Sequence, residues 1–182
     1  MLKLVLFVVL SLGLLYVSRF SLRFPLPHGF YRFLAWESIL ALILVNSDPW
    51  FDEPLSLHQI ISWVLLSASL FLVVHGARLL RLAGRPDGQR KDQSLMPLEK
   101  TTVLVTVGAY KHIRHPLYSS LLFLGWGVFF KAPSWTGGLL AAAATVFLIA
   151  TAKADEVECV RYFGTPYEAY MARTKRFIPL LF

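Results

Sequence analysis

The chain is poor in charged residues and nearly free of cysteine. Only 16% of its 182 residues are charged, whereas a soluble domain of this length carries about a quarter. Its single cysteine, Cys159, excludes an intramolecular disulfide and is expected to be a small buried apolar residue. The sequence contains no internal repeat and no low-complexity tract. These absences argue against an ordinary water-soluble domain and against a disulfide scaffold.

Apolar residues take the place of the missing charges. They make up 56% of the chain, and its mean hydropathy is +0.57. Five apolar runs cover residues 4–17, 33–45, 60–76, 117–130 and 135–151. Several runs are shorter than the ~20 residues of a full membrane span, but flanking aromatic residues such as Trp50 and Trp135 can complete the crossing. The pattern predicts an all-α polytopic membrane protein with about five transmembrane helices, forming a single integral membrane domain over residues 1–182.

The basic residues indicate how these helices are oriented. The net charge is +7, but the cations lie in short clusters between apolar runs, which is typical of membrane topology and not of nucleic-acid binding. With five crossings, sixteen of the eighteen lysines and arginines fall on one side, and only Lys3 and Lys131 fall on the other. We therefore expect the N-terminus outside and the C-terminus in the cytosol, in the cell membrane if the source is bacterial. The N-terminal run has no small-residue cleavage site, which argues against a secretory signal.

A first polar cluster, "GAYKHIRHPLY", precedes the fourth run. Proline disfavours helical geometry in the residue before it and suits the first position of a helix, so the fourth helix is expected to begin at Pro116. Its free amides and the neighbouring Arg114 would form an anion site; alternatively, the cations only anchor the helix at the membrane. His112 and His115 offer only two ligands across a proline break, so no metal site is predicted.

A second polar cluster follows the fifth run, from Ala152 to Pro179. The spacing of its apolar residues predicts an amphipathic helix that continues out of the membrane. Gly164 is expected to cap this helix. Thr165 and Glu168 then resemble the N-cap and the capping-box acid of a second, short helix. The tail is predicted to form a C-terminal helical lid on the cytosolic face, or else a surface-lying anchor.

One acidic residue lies inside an apolar run. Glu37 falls in the second run, and ionisable groups within membranes are functional candidates by default. Alternatively, Glu37 pairs with a basic residue such as Arg32.

Together, the two clusters resemble the isoprenylcysteine carboxyl methyltransferase and phospholipid methyltransferase superfamily. The shared pattern is Gly-x-Tyr, Arg-His-Pro-x-Tyr, a helical hairpin, a pair of acids, Phe-Gly-x-x-Tyr-x-x-Tyr and Arg-Phe-x-Pro, and it covers about residues 101–179. The N-terminal hundred residues match only as generic membrane spans. The resemblance implies a membrane methyltransferase that uses S-adenosyl-L-methionine, with residues 1–100 forming three spans and a cytosolic loop and residues 101–182 forming the catalytic, cofactor-binding half.

The resemblance also implies a set of site residues. Arg114, Glu156 and Arg176 are expected to be catalytic. The cofactor-binding residues are expected to be Tyr110, His112, Arg114, His115, Pro116, Tyr118, Asp155, Glu156, Tyr167 and Tyr170. The chain departs from the family pattern at Ala109, where a proline is common, at Ser120, where a glycine is frequent, and at Asp155, which shortens the first acid of the pair. None of these changes removes an ionisable group.

Three functions stay open at this point. The first is methyl transfer to a lipophilic or small acceptor, which could be a carboxylate, an amine or a thiol. The second is an NADPH-dependent membrane reductase of the sterol or steroid type. Such reductases share the Arg-His-x-x-Tyr element and have a similar C-terminal tail. The third is a non-catalytic membrane protein with a relict fold. The expected partners are the lipid bilayer and a methyl acceptor, without nucleic acid.

Overall fold

The structure, a computed structural model, describes residues 1–23, 27–48, 50–86 and 95–180. These residues form six α-helices and one short 3₁₀ helix at Gly108–Lys111. The helices are α1 (Leu2–Leu22), α2 (Pro27–Val45), α3 (Leu57–Ala83), α4 (Pro116–Phe129), α5 (Trp135–Phe163) and α6 (Thr165–Arg173). No β-strand occurs within these ranges. Part of the polar loop between α3 and the 3₁₀ helix, residues 87–94, lies outside the described residues.

Four of the helices are long and apolar enough to cross a membrane. They are α1, α2, α3 and α5, and α4 is a shorter apolar helix. At 1.5 Å per residue, the 14 residues of α4 extend about 21 Å, less than the ~30 Å hydrocarbon core of a bilayer. These helices confirm the predicted all-α polytopic membrane protein.

The core of the molecule forms where these helices meet the C-terminal tail. Ala35 of α2, Leu122 of α4 and Leu148 of α5 are buried in one cluster. Phe177, which follows α6, is buried in the same cluster and is only 1% exposed. Burial of an aromatic side chain of this size stabilises the fold by roughly 1.5–3 kcal/mol. The tail is therefore part of the hydrophobic core and does not lie only on the surface.

Lys3 and Lys131 lie at the end of the bundle away from this tail. They are the two basic residues that the predicted topology places outside the cytosol. Lys3 donates to Asp48 at 2.7 Å. Lys131, between α4 and α5, is 1% exposed and donates to Gln59 Oε1 at 2.9 Å. Its ammonium also lies 3.2 Å from the centre of the Trp63 ring, a cation–π contact. Both of these cations are therefore held by contacts within the structure.

Two local expectations are corrected by the structure. The N-cap of α6 is Gly164, not Thr165, and no side-chain hydrogen bond caps this helix. Gly164 has a φ of +65° and also ends α5, so the chain reverses within one residue and leaves no room for a separate Thr165 cap. Glu37 does not pair with Arg32; it accepts a hydrogen bond from Ser11 of α1 at 2.6 Å, because Arg32 contacts Glu99 instead.

Candidate functional site

The segment before α4 is shaped by a glycine and a proline. Gly108 has a φ of +59°, and a Cβ at this position would lie 2.7 Å from His75 Nε2 of α3, so only glycine brings the chain this close to α3. His115 is the N-cap of α4, with φ −123° and ψ 61°, and Pro116 is the first residue of the helix. The predicted start of α4 is confirmed. The side chains of Arg114 and His115 are thereby placed at the helix entrance.

Main-chain hydrogen bonds join this segment to the C-terminal tail. Arg114 N donates to Lys175 O at 2.8 Å, and His115 N donates to Arg176 O at 3.2 Å. In return, Lys175 N donates to His112 O at 3.1 Å, and Ile113 and Lys175 form a parallel bridge. The amides that a proline-started helix leaves without intrahelical partners are therefore used in part by the tail. The tail holds a defined register against the Arg-His-Pro segment.

Side chains strengthen the same junction. The Tyr170 hydroxyl of α6 donates to Tyr110 O at 2.6 Å. The Ser119 hydroxyl of α4 contacts Phe177 O at 2.9 Å. Both hydroxyls are buried, so each hydrogen bond also satisfies a carbonyl that water cannot reach.

Glu156 lies at the centre of an ionic cluster beneath this junction. Its carboxylate accepts hydrogen bonds from Arg114 Nε at 2.9 Å and from Arg176 Nε and Nη2 at 3.0 and 2.8 Å. His115 Nε2 lies 3.3 Å from the same carboxylate. Arg114 also donates through Nη1 to the carbonyls of Met171 and Thr174. The three residues predicted to be catalytic thus form one buried network that joins α5 to both cluster segments.

The charge of His115 is coupled to the acid pair. Its Nδ1 lies 3.4 Å from Asp155 Oδ2. Burial alone would lower the pKa of His115, but the hydrogen bonds with Asp155 and Glu156 outweigh it and raise the pKa. Pairing with Glu156 likewise raises the pKa of Arg176. Both cations are therefore held in their charged forms next to the two carboxylates.

A pocket opens beside this network, between α3, α4, α5 and α6. Its lining includes seven of the residues that were predicted to bind the cofactor: Tyr110, Arg114, His115, Tyr118, Asp155, Tyr167 and Tyr170. Cys159 also lines it, and its thiol lies 3.6 Å from Asp155 Oδ1. Burial raises the pKa of Tyr110, Tyr167 and Tyr170, so these tyrosines stay neutral and offer aromatic faces and hydroxyls.

The other predicted site residues lie around the pocket and not in its lining. Pro116 is buried at the start of α4. Glu156 and Arg176 form the ionic network behind the lining residues. His112 is exposed, and its contact with the tail is made by its carbonyl oxygen. The side chain of His112 is therefore not brought to the pocket.

Sequence reasoning missed a second set of polar residues beside the pocket. Glu99, from the loop before the first cluster, lines the pocket and forms a 2.6 Å ion pair with Arg32 of α2. The Tyr118 hydroxyl donates to Glu99 Oε1 at 3.2 Å and lies 2.8 Å from His28 Nε2. His28 follows two prolines at the start of α2, and Glu99 stands in a polar loop, so neither position carries a local signal of its role.

The chain resembles known proteins that share one name. The chain is 28% identical over 149 residues to methanethiol S-methyltransferase 1 of Bradyrhizobium diazoefficiens, covering 81% of this chain and 49% of that protein. It is 26% identical to the methanethiol S-methyltransferase of Pseudomonas sp. strain GM41(2012), covering 81% of this chain and 54% of that protein. The chain is therefore similar to the methanethiol S-methyltransferases. This confirms the resemblance to the membrane methyltransferase superfamily that the two motif clusters indicate.

The extent of this similarity is limited. The chain spans about half the length of the curated relatives it matches. A further match, to methanethiol S-methyltransferase 2 of Bradyrhizobium diazoefficiens, has 32% identity over 75 residues, or 40% of this chain and 27% of that protein. No family model matches the chain, and no solved structure matches it.

Proposed function

We propose that the protein is a membrane methyltransferase that transfers a methyl group from S-adenosyl-L-methionine to a small thiol. The observation that carries this proposal is the pocket between the Arg-His-Pro helix start and the docked tail, in a chain whose relatives are named as thiol methyltransferases. The two halves of the motif pattern meet at this pocket although more than fifty residues separate Arg114 from Tyr170.

The residues of the pocket suit this methyl donor. Tyr118, Tyr167 and Tyr170 offer aromatic faces that attract a sulfonium cation, and apolar residues such as Leu104 and Val105 offer a surface for an adenine ring. Asp155 adds a carboxylate to the pocket lining. Glu156 pairs with both Arg114 and Arg176. We assign these three residues a positioning role, in which they hold the segment before α4, helix α5 and the tail in place around the pocket.

In this reaction the main task of the protein is to align the acceptor sulfur with the methyl group of the donor. The bound donor supplies a methyl group that is already activated by its positive sulfur. The acceptor thiol must lose its proton, and its sulfur must approach the methyl carbon in line with the bond that breaks, whose electron pair stays on the donor sulfur. The buried pocket holds the acceptor in this direction and excludes water. The products are a methyl thioether, a neutral demethylated donor and a proton.

The orientation of the site in the membrane is also a proposal. The pocket lies at the end of the bundle that carries most of the basic residues, which favours the cytosol. A cysteine introduced at the exposed Glu168 of α6 should be protected from an impermeant thiol reagent in intact cells. A cysteine introduced at Asp52, at the other end, should react, and the reverse result would contradict the orientation.

The deciding experiment uses purified protein in detergent with methyl-labelled S-adenosyl-L-methionine. Methanethiol and total membrane lipid are offered in parallel. We expect label in dimethyl sulfide and no label in lipid. Label in the lipid fraction alone would refute the thiol acceptor, and binding of NADPH without the methyl donor would favour a reductase. Absence of transfer to either acceptor would refute the proposed activity.

A matched pair of variants tests the site. Arg114→Ala removes the contacts between the helix entrance, Glu156 and the tail, and we expect at least a tenfold weaker affinity for the methyl donor. Arg173→Ala, on the exposed face of α6, should leave this affinity unchanged. Equal donor affinities in the two variants would contradict the assigned site.

A further inference from the structure

Three potential metal ligands meet behind the pocket, where α2 packs against α5. His28 lies near the start of α2, and Asp155 and Glu158 lie three residues apart on α5, so both acids point to the same face of that helix. Each of the three residues offers one ligand atom, and these atoms all lie within 4.8 Å of one another. His28 is fully buried, and the side chain of Glu158 is 4% exposed.

The two ring nitrogens of His28 contact different groups. Nε2 lies 2.8 Å from the Tyr118 hydroxyl, which also lies 3.2 Å from Glu99 Oε1. Nδ1 faces the carboxylate of Glu158.

The spacing of the ligand atoms is compatible with a bound ion. Ligand atoms around a tetrahedral ion with bonds of about 2.1 Å lie about 3.4 Å apart. The 3.3 Å separation of His28 Nδ1 and Glu158 Oε2 would accommodate such an ion between the two residues.

We propose that His28, Asp155 and Glu158 bind a divalent cation of the zinc class. A metal-bound histidine usually donates the N–H of its other ring nitrogen to a neighbouring group, which sets its orientation. For His28 the acceptor would be the Tyr118 hydroxyl, 2.8 Å from Nε2. Three protein ligands leave the fourth position of a tetrahedral zinc ion open, as in catalytic zinc sites. This cation site was not expected from the sequence, because its ligands come from two distant helices.

The site would act on the acceptor, an assignment that rests on the proposed function. Asp155 also lines the pocket, so an ion that it holds would lie beside the place of the acceptor thiol. Sulfur is a ligand that zinc favours, and a thiol that coordinates zinc gives up its proton. The ion would thus supply the thiolate, and the released proton would leave to solvent.

The test measures metal directly and does not depend on activity. The full chain is purified in detergent, stripped with a chelator, dialysed and titrated with Zn²⁺ alone, and bound metal is counted by mass spectrometry. We expect one zinc per chain in the wild type. His28→Gln and Glu158→Gln should lose it, while His58→Gln and Glu168→Gln, which change the same residue types elsewhere, should keep it. Tyr118→Phe should weaken zinc affinity about 10–100-fold.

The possible outcomes separate the two proposals. A well-folded wild-type chain that binds no stoichiometric zinc would overturn the cation site and would leave a protonated His28 paired with Glu158. Zinc bound equally by the wild type and by both His28→Gln and Glu158→Gln would overturn the ligand assignment. Stoichiometric zinc with no methylation of methanethiol would preserve the site and refute the proposed function. Methylation by the metal-free chain at the wild-type rate would refute the role of the ion.

Discussion

Glu156 and Arg176 form a two-pronged ion pair, with hydrogen bonds of 3.0 and 2.8 Å from the guanidinium to the two carboxylate oxygens. Arg176 follows α6, and Glu156 lies in the C-terminal half of α5, the longest of the described helices. The pair is only 18% and 6% exposed, so water screens it weakly. This contact makes the tail and α5 behave as one unit around the pocket.

Glu156→Gln should disrupt this unit. The change removes the negative charge that Arg114, His115 and Arg176 share and leaves partly buried cations without their counter-charge. Breaking a buried pair in this way costs about 3–5 kcal/mol, and we expect a lower melting temperature together with at least tenfold weaker donor binding. Thermal unfolding in detergent and titration calorimetry measure the two effects. Glu168→Gln, on the exposed face of α6, is the control; a Glu156→Gln protein that matches it on both counts would show that the network is dispensable.

His115 should make the stability of the site depend on pH. Its pKa is higher in the folded protein than its ordinary value of about 6.5 because Asp155 and Glu156 favour the charged ring. The stabilisation is therefore complete below about pH 6.5 and is lost as pH rises through the raised pKa. The difference in melting temperature between the wild type and His115→Gln should be largest near pH 6 and should shrink toward pH 9. A difference that grows with pH would contradict this direction.

Tyr170→Phe should loosen the tail. The hydroxyl donates to the main chain of the first cluster at Tyr110, and its loss leaves a buried carbonyl without that partner. Such a loss costs about 1–3 kcal/mol. Limited proteolysis at the junction of α5 and α6 should therefore become faster. Tyr16→Phe, on the exposed face of α1, makes the same chemical change without this contact. Equal cleavage rates in the two variants would show that the hydroxyl does not hold the tail.

Gly164→Ala should be destabilising for a purely conformational reason. A Cβ at this position meets nothing within 4 Å, but the residue has a φ of +65° and a ψ of −144°, which L-residues adopt at a cost of about 1–3 kcal/mol. Gly13 of α1 also has open space for a Cβ but lies in an ordinary helix, where alanine is favoured. Gly164→Ala should lower the melting temperature, and Gly13→Ala should leave it unchanged or raise it. A drop in both variants would point to lost flexibility and not to the φ angle.

Sequence reasoning succeeded where the signal is local. Proline sets the start of α4 at Pro116, and the glycine at 164 ends α5, because both effects act on one or two adjacent residues. The motif that spans both clusters predicts the acid pair and the tail tyrosines as site residues. Thr165 was assigned as the N-cap of α6 instead of Gly164, because the sequence does not reveal that a single residue serves both helices.

The remaining contacts depend on distant parts of the chain. Glu99 is far in sequence from Arg32 and from Tyr118, and only helix packing brings the three together. Glu37 was expected to have Arg32 as a possible partner, yet α1 supplies Ser11 at hydrogen-bond distance. His28 and Glu158 are separated by 130 residues, and neither has a motif around it. Side chains of this kind are identified only after the fold is known.

The register between the tail and the Arg-His-Pro segment has a consequence for biosynthesis. Lys175 and Arg176 follow all six helices in the chain, so they leave the ribosome only after those helices have been synthesised. The six described helices can therefore be inserted before the register with the Arg-His-Pro segment exists, because that register is formed by residues synthesised after them. A nascent chain halted just before residue 174 would contain these helices but would lack the contacts that Lys175 and Arg176 make with the start of α4.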